Sequence, residues 1–177
     1  MPSKVILKMH TSIDGFVCTP DGDTAWIFQH MDDEVIRWEV ERLWQAGVHV
    51  MGRKLHDIMA AYWPFATEAP AEPMNTIPKL VFSKTLAQTT WANTRIARGD
   101  IAAEIALLKQ TDKDILVHGG AAFAQSLSKL NLVDEYRLLI HPIALGSGKS
   151  CFDSLVPMRL VSSHVFANGV VALSYSQ

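Results

Sequence analysis

The stretch DILVHGGAAFAQSL, residues 114–127, joins a strand pattern to a helix pattern through two consecutive glycines. Its β-branched and apolar run Ile115–Val117 predicts a buried strand, and the apolar residues after it follow the three- and four-residue spacing of a helix. Gly119 and Gly120 stand at the joint. A tight turn is one explanation for the two glycines. The other is a ligand that approaches the bare backbone at a helix N-terminus, where phosphate groups bind.

Strands and helices alternate along most of the sequence. Residues 5–7, 79–86 and 135–145 predict buried strands, and residues 32–44 predict an amphipathic helix. Asn168-Gly169 is the strongest short signal for a hairpin, so the chain is expected to close with antiparallel strands. We therefore predict an α/β fold with a mostly parallel central sheet, helices around it and a C-terminal antiparallel hairpin.

Two segments of the sequence allow more detailed predictions of local structure. The helix at residues 32–44 is expected to begin with the acidic residues Asp32 and Asp33, which suit a helix N-terminus. Residues 63–77 are rich in Pro and Ala and predict an exposed loop. The apolar face of the helix is expected to consist of Ile36, Val40, Leu43 and Trp44.

Composition limits the classes of function. The chain has 177 residues, 49% of them hydrophobic and 19% charged, which predicts one globular domain over residues 1–177. The formal net charge of −2 argues against a general nucleic-acid binder. No apolar run approaches the roughly 18 residues that a membrane span requires. A strand pattern begins at once, without a signal peptide, and Cys18 and Cys151 have no metal-type spacing, so a cytoplasmic protein with reduced thiols is expected.

Three loops predict a site for phosphate groups. MGRK (51–54), SKTL (83–86) and HGGAA (118–122) each follow a predicted strand, and ligands bind at the carboxyl ends of strands in such sheets. Backbone amides, hydroxyls and cations hold phosphate oxygens. Each loop alone is better explained as a solvated turn, but together they predict a dinucleotide, and their cations favour NADPH over NADH. The predicted cofactor-binding residues are Gly52, Arg53, Lys54, Ser83, Lys84, Thr85, Gly119, Gly120, Ala121 and Ala122.

Other chemistries find little support. GSGKS (146–150) suggests a nucleotide-binding P-loop, but that motif needs a glycine where this chain has Ile143. The seven histidines show no metal-ligand spacing, so we predict no metal site. His141, in an apolar strand before Pro142, is expected to be structural.

Hydride transfer fits this pattern because it needs no nucleophile. A nicotinamide carries the difficult step, and the protein supplies orientation and at most one proton donor. Asp32, Asp33 and Glu34 are the candidate donors, and among them we predict Asp33 as the catalytic acid. The alternative is that these residues only stabilise the start of their helix.

The ordered motifs TSIDGF, VMGRKLHDIM, KLVFSKTL, ILVHGGAAF and DEYRLLIHPIALGSGKSCF resemble the dihydrofolate-reductase-like superfamily. In particular, they resemble the branch that includes the reductase domain of the riboflavin-pathway deaminase/reductase. The resemblance covers essentially the whole chain. It differs at GRKLHDIMAAYWPF, where that reductase has a Thr…Asp-Asp-Pro segment that helps to hold its ribosyl phosphate substrate.

This resemblance implies a sheet of about eight strands with NADPH across the strand carboxyl ends, and a Gly119-Gly120 bond that is commonly cis. It implies contacts of Ser83 and Lys84 with the adenosine 2′-phosphate. It also implies a pyrimidine- or pterin-like heterocyclic substrate, a dimer and no deaminase zinc site. A non-catalytic NADPH-binding or sensing module of the same fold is the alternative. The predicted substrate-binding residues are His10, Ile13 and Trp26.

Overall fold

The computed structural model describes residues 3–177, and its centre is a sheet of eight strands. The order across this sheet is β5-β4-β3-β6-β1-β7-β10-β9. A separate pair of short antiparallel strands, β2 and β8, lies outside it. The strands are β1 (Val5–Ser12), β2 (Phe16–Cys18), β3 (Ala46–Gly52), β4 (Lys79–Phe82), β5 (Thr94–Ala97), β6 (Asp114–Val117), β7 (Glu135–His141), β8 (Lys149–Ser150), β9 (Arg159–Val165) and β10 (Val171–Ser176).

Strand direction confirms the prediction of a mostly parallel sheet. Neighbouring strands from β5 to β7 all pair in parallel, and β10 pairs antiparallel with both β7 and β9. The predicted hairpin joins β9 to β10, and Gly169 in its turn has φ +90°, a conformation that glycine adopts without strain.

Within the described part of the chain, five α-helices cover the sheet. Helices α1, α2 and α3 pack against one face through Leu43, Met59 and Met74, and α4 and α5 pack against the other through Ile105 and Leu127. No helix in residues 3–177 combines the length and the apolar character that crossing a membrane requires. The helices are α1 (Asp33–Gln45), α2 (Arg53–Tyr62), α3 (Ala71–Thr76), α4 (Ile101–Leu108) and α5 (Ala121–Lys129).

Helix α1 begins as expected, but it buries a different face. Asp32 is the N-cap, and its carboxylate accepts hydrogen bonds from the backbone N–H groups of Glu34 and Val35 at 3.1 and 3.0 Å. The buried residues are Val35, Glu39 and Leu43, whereas Trp44 is 42% exposed. The predicted face was therefore wrong in part, because a carboxylate that finds partners on the sheet can occupy a core position.

The prediction of an exposed loop at residues 63–77 was wrong. This segment contains α3, and its Ala71, Pro73, Met74 and Ile77 are buried. The buried ammonium group of Lys79 donates hydrogen bonds to the carbonyl oxygens of Met74 and Ile77, each at 3.0 Å. These contacts satisfy carbonyl groups at the end of α3, which a pattern of Pro and Ala does not reveal.

Candidate functional site: a strand-end cleft and a buried polar cluster

The predicted phosphate loops meet at one edge of the sheet. Strands β3, β4 and β6 run in parallel, so the loops that follow Gly52, Phe82 and Val117 lie at the same edge. The backbone N–H of Gly52 donates a hydrogen bond to the carbonyl oxygen of Gly119 at 3.2 Å. The start of α2 therefore lies beside the start of α5.

The two glycines before α5 have different surroundings. Gly119 has φ +86°, and a Cβ atom there would lie 2.5 Å from the sulfur of Met9, so both backbone and packing require glycine. A Cβ atom on Gly120 would meet nothing within 4 Å. The packing of the chain does not require a glycine at position 120, and the space above it is open to a ligand. The Gly119-Gly120 peptide bond is cis, as expected.

The helix starts at this edge carry no side-chain caps. Asp32 and Asp100 cap α1 and α4 through side-chain hydrogen bonds, but Gly52 and Gly120, the N-caps of α2 and α5, offer none. The first backbone N–H groups of a helix have no partner within the helix, and they carry a partial positive charge. Two adjacent uncapped helix starts make a place for an anion.

Positively charged side chains add to the positive potential at these two helix starts. Arg53 and Lys54 open α2, where positive side chains are unfavourable unless an anion is nearby. The guanidinium group of Arg53 donates to both carboxylate oxygens of Asp57, at 2.8 and 2.9 Å, and to the hydroxyl of Thr85 at 3.3 Å. Arg53 thereby joins the first and second predicted loops. Its hydrogen bonds hold the pKa of Asp57 below its usual range.

The second loop is preformed around Ser83. The buried Ser83 hydroxyl accepts hydrogen bonds from the backbone N–H groups of Thr85 and Leu86, at 3.2 and 2.9 Å. The turn leaves Lys84 and Thr85 exposed. Hydroxyl, ammonium and guanidinium groups thus stand beside the two uncapped helices. These donors and the open space over Gly120 suit the phosphates of a dinucleotide, so the residues present fit the predicted cofactor.

A second group of polar side chains lies under α1, and we call Lys8, His10, Glu39 and His141 the buried polar cluster. One carboxylate oxygen of Glu39 lies 2.5 Å from the ammonium nitrogen of Lys8 and 3.2 Å from Nε2 of His10. Nδ1 of His10 lies 2.9 Å from Nε2 of His141. Lys8 and His10 alternate along β1 and therefore face the same side of the sheet as Glu39.

Burial and mutual charge set the ionisation of the buried polar cluster. Burial raises the pKa of Glu39, but the positive charge of Lys8, aided by the polar contact with His10, outweighs this effect and holds the pKa well below its usual range. Burial lowers the pKa of His10, and Glu39 opposes this only in part. Burial together with the neighbouring His10 and His30 lowers the pKa of His141 to about 3. Near neutral pH the cluster therefore combines an ion pair with two neutral imidazoles.

Trp26 is brought next to this cluster. The indole ring of Trp26 meets the imidazole ring of His141 edge-on, with centroids 5.4 Å apart. The ring of His30 lies 5.9 Å from that of His141. Trp26 and His30 belong to one 3₁₀ turn, Ala25–His30. Two predicted substrate residues, His10 and Trp26, thus share a neighbour, His141, which the sequence had suggested was structural.

The third predicted substrate residue, Ile13, lies in the loop after β1 and is 69% exposed. Asp14 fixes this loop, because its carboxylate accepts hydrogen bonds from the hydroxyl of Ser12 and from the backbone N–H groups of Leu145 and Gly146. These hydrogen bonds, of which the one from Ser12 has the largest effect, lower the pKa of Asp14 to about 2. Asp14 therefore holds the loop after β1 against the loop after β7, at the carboxyl ends of these two strands.

Asp33, the predicted acid, is exposed in the first turn of α1. Its neighbour Glu34 accepts a hydrogen bond from the backbone N–H of Ala167 in the β9–β10 hairpin, at 3.3 Å. Asp33 therefore lies at the start of α1 beside that hairpin, and its catalytic role stays a prediction.

The sequence reasoning missed Lys8, Glu39 and His141 as a group. Lys8 and His10 break an otherwise apolar strand at every second position, and this was the available signal. Glu39 gave no signal, because one acidic residue on an amphipathic helix ordinarily faces solvent.

Neither a metal-type cluster nor the cavity found in the structure belongs to this edge of the sheet. Within residues 3–177, no group of three or more His, Cys, Asp or Glu side chains is arranged to hold a metal ion. An open cavity of about 640 Å³ lies where β3, β4 and β5 begin, lined by Val48, Lys79 and Thr94 among others. It is at the opposite edge of the sheet from the predicted loops and includes none of the predicted site residues.

Comparisons with known proteins identify the family of this chain and its fold. Residues 3–172 match the family model of the RibD C-terminal domain, and the chain belongs to this family. It is 31% identical over 182 residues to the uncharacterized protein YyaP of Bacillus subtilis, which covers 97% of this chain and 94% of YyaP. It is 28% identical over 155 residues to the riboflavin biosynthesis protein RibD of Corynebacterium ammoniagenes, covering 82% of this chain but only 45% of that protein.

Solved structures give the same fold. A pyrimidine reductase-like protein from Corynebacterium diphtheriae superposes with a TM-score of 0.70 at 18% identity, covering 99% of this chain and 91% of the other. Dihydrofolate reductase from Enterococcus faecalis, in a complex with NADP(H), superposes with a TM-score of 0.68 at 11% identity, covering 99% and 98%. The fold is dihydrofolate-reductase-like, and the family is that of the RibD C-terminal domain.

Proposed function

We propose that this protein is an NADPH-dependent reductase that acts on a pyrimidine- or pterin-like heterocycle by direct hydride transfer. The observation that carries the proposal is the pair of uncapped helix starts, α2 and α5, held side by side by Gly52 and Gly119. Membership of the RibD C-terminal domain family supports a reductase. The polar cluster beside Trp26 supports a heterocyclic substrate.

The cofactor would lie across the three loops. The N–H groups at the start of α5, with Gly119, Gly120, Ala121 and Ala122, would hold the pyrophosphate. Arg53 and Lys54 would add positive charge at the start of α2. Ser83, Lys84 and Thr85 would receive the adenosine 2′-phosphate, because they combine a cation and hydroxyls on one exposed turn.

The heterocycle would lie between the loop after β1 and the turn that carries Trp26. A bound reduced nicotinamide supplies the hydride, so the chain itself needs to orient the heterocycle and to handle one proton. His10 and Trp26 would orient it, Ile13 would cover it with an apolar side chain, and Asp33 would supply the proton from the start of α1.

The alternative is a non-catalytic module that binds NADPH without turnover. One observation favours it. Glu39, the carboxylate in contact with His10, is paired with Lys8 and held ionised, so it has no proton to donate. The choice between enzyme and module then depends on whether Asp33 protonates a bound substrate.

We further propose a homodimer in the cytoplasm. Strand β9 is the last strand of the sheet, and among residues 3–177 it pairs with β10 alone. It is exposed along its whole length, with Leu160, Val161 and Val165 each more than half exposed. An exposed apolar edge strand is a ready surface for a second copy. Cys18 and Cys151 are both free thiols, which accords with a reducing compartment.

Turnover separates the enzyme from the binding module. The purified protein is mixed with NADPH and a panel of pterins, ribityl-type pyrimidines and quinones, and oxidation is followed by the absorbance of reduced nicotinamide. We expect oxidation with at least one pyrimidine or pterin, and its loss in Asp33→Asn but not in Asp112→Asn, a control in an exposed turn at the opposite edge. Tight NADPH binding with no oxidation across the panel would favour the module.

A further inference from the structure

Polar side chains from three strands share one face of the sheet, the face on which α1 packs. Strand β10 lies between β7 and β9, and residues directly opposite each other in antiparallel pairs point to the same side. Ser174 of β10 lies opposite both Arg137 of β7 and Ser162 of β9. Leu139, two residues after Arg137, packs with Val35 of α1 and so identifies this face.

A second row of polar side chains lies beside the first. Ser176 of β10 is opposite Glu135 of β7 and Arg159 of β9. The register of β9 against β10 shifts between Ser174 and Tyr175. This bulge turns the exposed Arg159 toward the same face as Ser174. The two rows together carry two arginines and three serines.

Helix α1 brings a third arginine to this face. The guanidinium group of Arg42 lies over the indole ring of Trp38, 3.6 Å from its centroid, and donates a hydrogen bond to the carbonyl oxygen of Trp38 at 2.9 Å. Burial, and after it the positive charge of Arg137, lowers the pKa of Arg42. The two guanidinium groups are therefore close enough to repel each other, which is unfavourable unless an anion joins them.

Two buried groups in these rows have no hydrogen-bond partner among residues 3–177. They are Nε of Arg137 and the hydroxyl of Ser176, which are diagonal neighbours across the β7–β10 pair. The side chain of Arg137 is 11% exposed, and its Nη2 donates to the carboxylate of Glu135 at 2.8 Å. The guanidinium group is thus fixed while its Nε–H is unused. Buried donors are ordinarily paired, so an acceptor is expected here.

The carboxylates beside these arginines do not supply that acceptor. Glu135 is shared between Lys4 at 3.5 Å and Arg137 at 2.8 Å. Glu41 lies 3.6 Å from Arg42 and is 65% exposed, where an ion pair contributes little. This face of the sheet therefore keeps an excess of positive charge.

We propose that this face binds a phosphate group. Nε of Arg137 and the hydroxyl of Ser176 donate to the phosphate oxygens, and Arg42 and Arg159 add charge from α1 and from the edge strand. Arginine suits this role because its planar N–H groups bind oxyanions in pairs. The residues assigned to the site are Arg42, Arg137, Arg159, Ser162, Ser174 and Ser176.

The site is separate from the proposed cofactor loops and does not depend on the proposed function. Those loops follow β3, β4 and β6, whereas β7, β10 and β9 lie on the other side of β1. Arg137 stands four residues before His141, the end of β7, which places it roughly 13 Å from the strand ends. A bound phosphate would join the last turn of α1, which carries Arg42, to three strands of the sheet.

NMR of the ¹⁵N-arginine-labelled protein tests the site directly. The protein is titrated with sodium phosphate, and with sodium chloride at the same ionic strength. The Nε–H signal of Arg137 is assigned as the one that disappears in Arg137→Lys. We expect phosphate, but not chloride, to move this signal with saturation. No saturable movement, or an equal response to chloride, would overturn the proposal.

The titration is repeated with NADP⁺ in excess, because phosphate could also bind at the starts of α2 and α5. We expect the Arg137 response to persist. Its loss would place the phosphate at the cofactor loops and overturn the proposal. Glycerol phosphate is then compared with inorganic phosphate. Tighter binding of glycerol phosphate supports the phosphate group of a larger ligand, and equal or weaker binding supports free phosphate.

Variants test the other arginines. Arg159→Gln changes an exposed residue, so folding is retained, and it is expected to weaken phosphate binding roughly tenfold, as is Arg42→Gln. Arg95→Gln is the matched control, since Arg95 is an arginine on the opposite edge strand that is paired with Glu104. It should leave phosphate affinity unchanged. Unaltered affinity in both Arg159→Gln and Arg42→Gln, or an equal loss in Arg95→Gln, would overturn the proposal.

Discussion

Gly52 and Gly119 are joined by a backbone hydrogen bond of 3.2 Å, and this contact holds the starts of two helices next to each other. Neither helix start has a side-chain cap. The partial positive charges of both helices therefore add at one place, which Arg53 and Lys54 reinforce. The proposed binding of NADPH follows from this relationship, and the substrate side follows from the polar cluster beneath α1.

Asp57 is expected to weaken cofactor binding, because it holds the guanidinium group of Arg53 and adds a negative charge beside the phosphates. Asp57→Asn should strengthen NADPH binding by about 0.2 to 1 kcal/mol, the usual scale of an exposed ion pair. Calorimetric titration at low salt measures this change. Asp112→Asn is the matched control and should leave the affinity unaltered. Weaker NADPH binding in Asp57→Asn would mean that Asp57 orients Arg53 instead.

Lys8 and Glu39 are expected to be strongly coupled. Glu39→Leu leaves the ammonium group of Lys8 buried without its counter-ion, which costs about 3 to 5 kcal/mol in the free energy of unfolding. Adding Lys8→Met should recover most of this loss. Urea unfolding of the two single variants and the double variant measures the coupling. Additive losses would show that the pair is not a unit, and Glu41→Leu, exposed on the same helix, should change stability little.

Stability should fall on mild acidification. Burial lowers the pKa of His49 to about 4 and that of His141 to about 3, and it also lowers those of His10 and His118. Between pH 6.5 and about 4 the unfolded chain binds protons that the folded chain refuses, so the free energy of unfolding decreases as pH falls. The charges of Lys79 and Lys8 add to the effect of burial on His49. The lowered pKa of Glu39 extends the loss of stability below pH 4.5, because the unfolded chain then binds a proton at Glu39 that the folded chain does not.

His49 and His141 should each contribute a loss of about 1 to 2 kcal/mol in the free energy of unfolding between pH 7 and pH 5. Urea unfolding at pH 7, 6 and 5 measures the slope. His49→Leu should reduce the slope, whereas His164→Gln, at an exposed position on β9, should not. A free energy of unfolding that is constant over this range would contradict the neutral state of the buried imidazoles.

The exposed edge of β9 predicts a dimer that one charge disrupts. Val161→Lys places an ammonium group in the middle of the edge, which should convert the dimer to a monomer. Sedimentation equilibrium measures the mass. Leu155→Lys, an equally drastic change at an 88% exposed position outside the strand, should leave the dimer intact. A wild-type protein that is monomeric at all concentrations would contradict the proposed homodimer.

Much of this architecture could be predicted because local patterns decide it. The strand before Gly119, the cap at Asp32 and the turn at Asn168-Gly169 each depend on residues that are adjacent in sequence. The common edge of the three predicted phosphate loops followed from the parallel direction of the strands. These features need no knowledge of distant contacts.

The remaining features depend on contacts between distant residues. Glu39 occupies a core position only because Lys8 and His10, about thirty residues earlier in the sequence, neutralise and bind it. His141 acquires a polar partner from His10, 131 positions away. Helix α3 forms in a segment rich in Pro because Lys79 completes its end. Periodicity within one segment does not contain this information.

A calorimetric titration of the protein with NADPH and with NADH tests the central claim most directly. NADPH is expected to bind about tenfold or more tightly than NADH, a difference of roughly 1.4 kcal/mol. Gly120→Ala should weaken both, since its Cβ atom enters the open space, whereas Gly99→Ala should not. Absence of binding of either cofactor at millimolar concentration, or Gly120→Ala without effect, would contradict a dinucleotide site at this edge of the sheet.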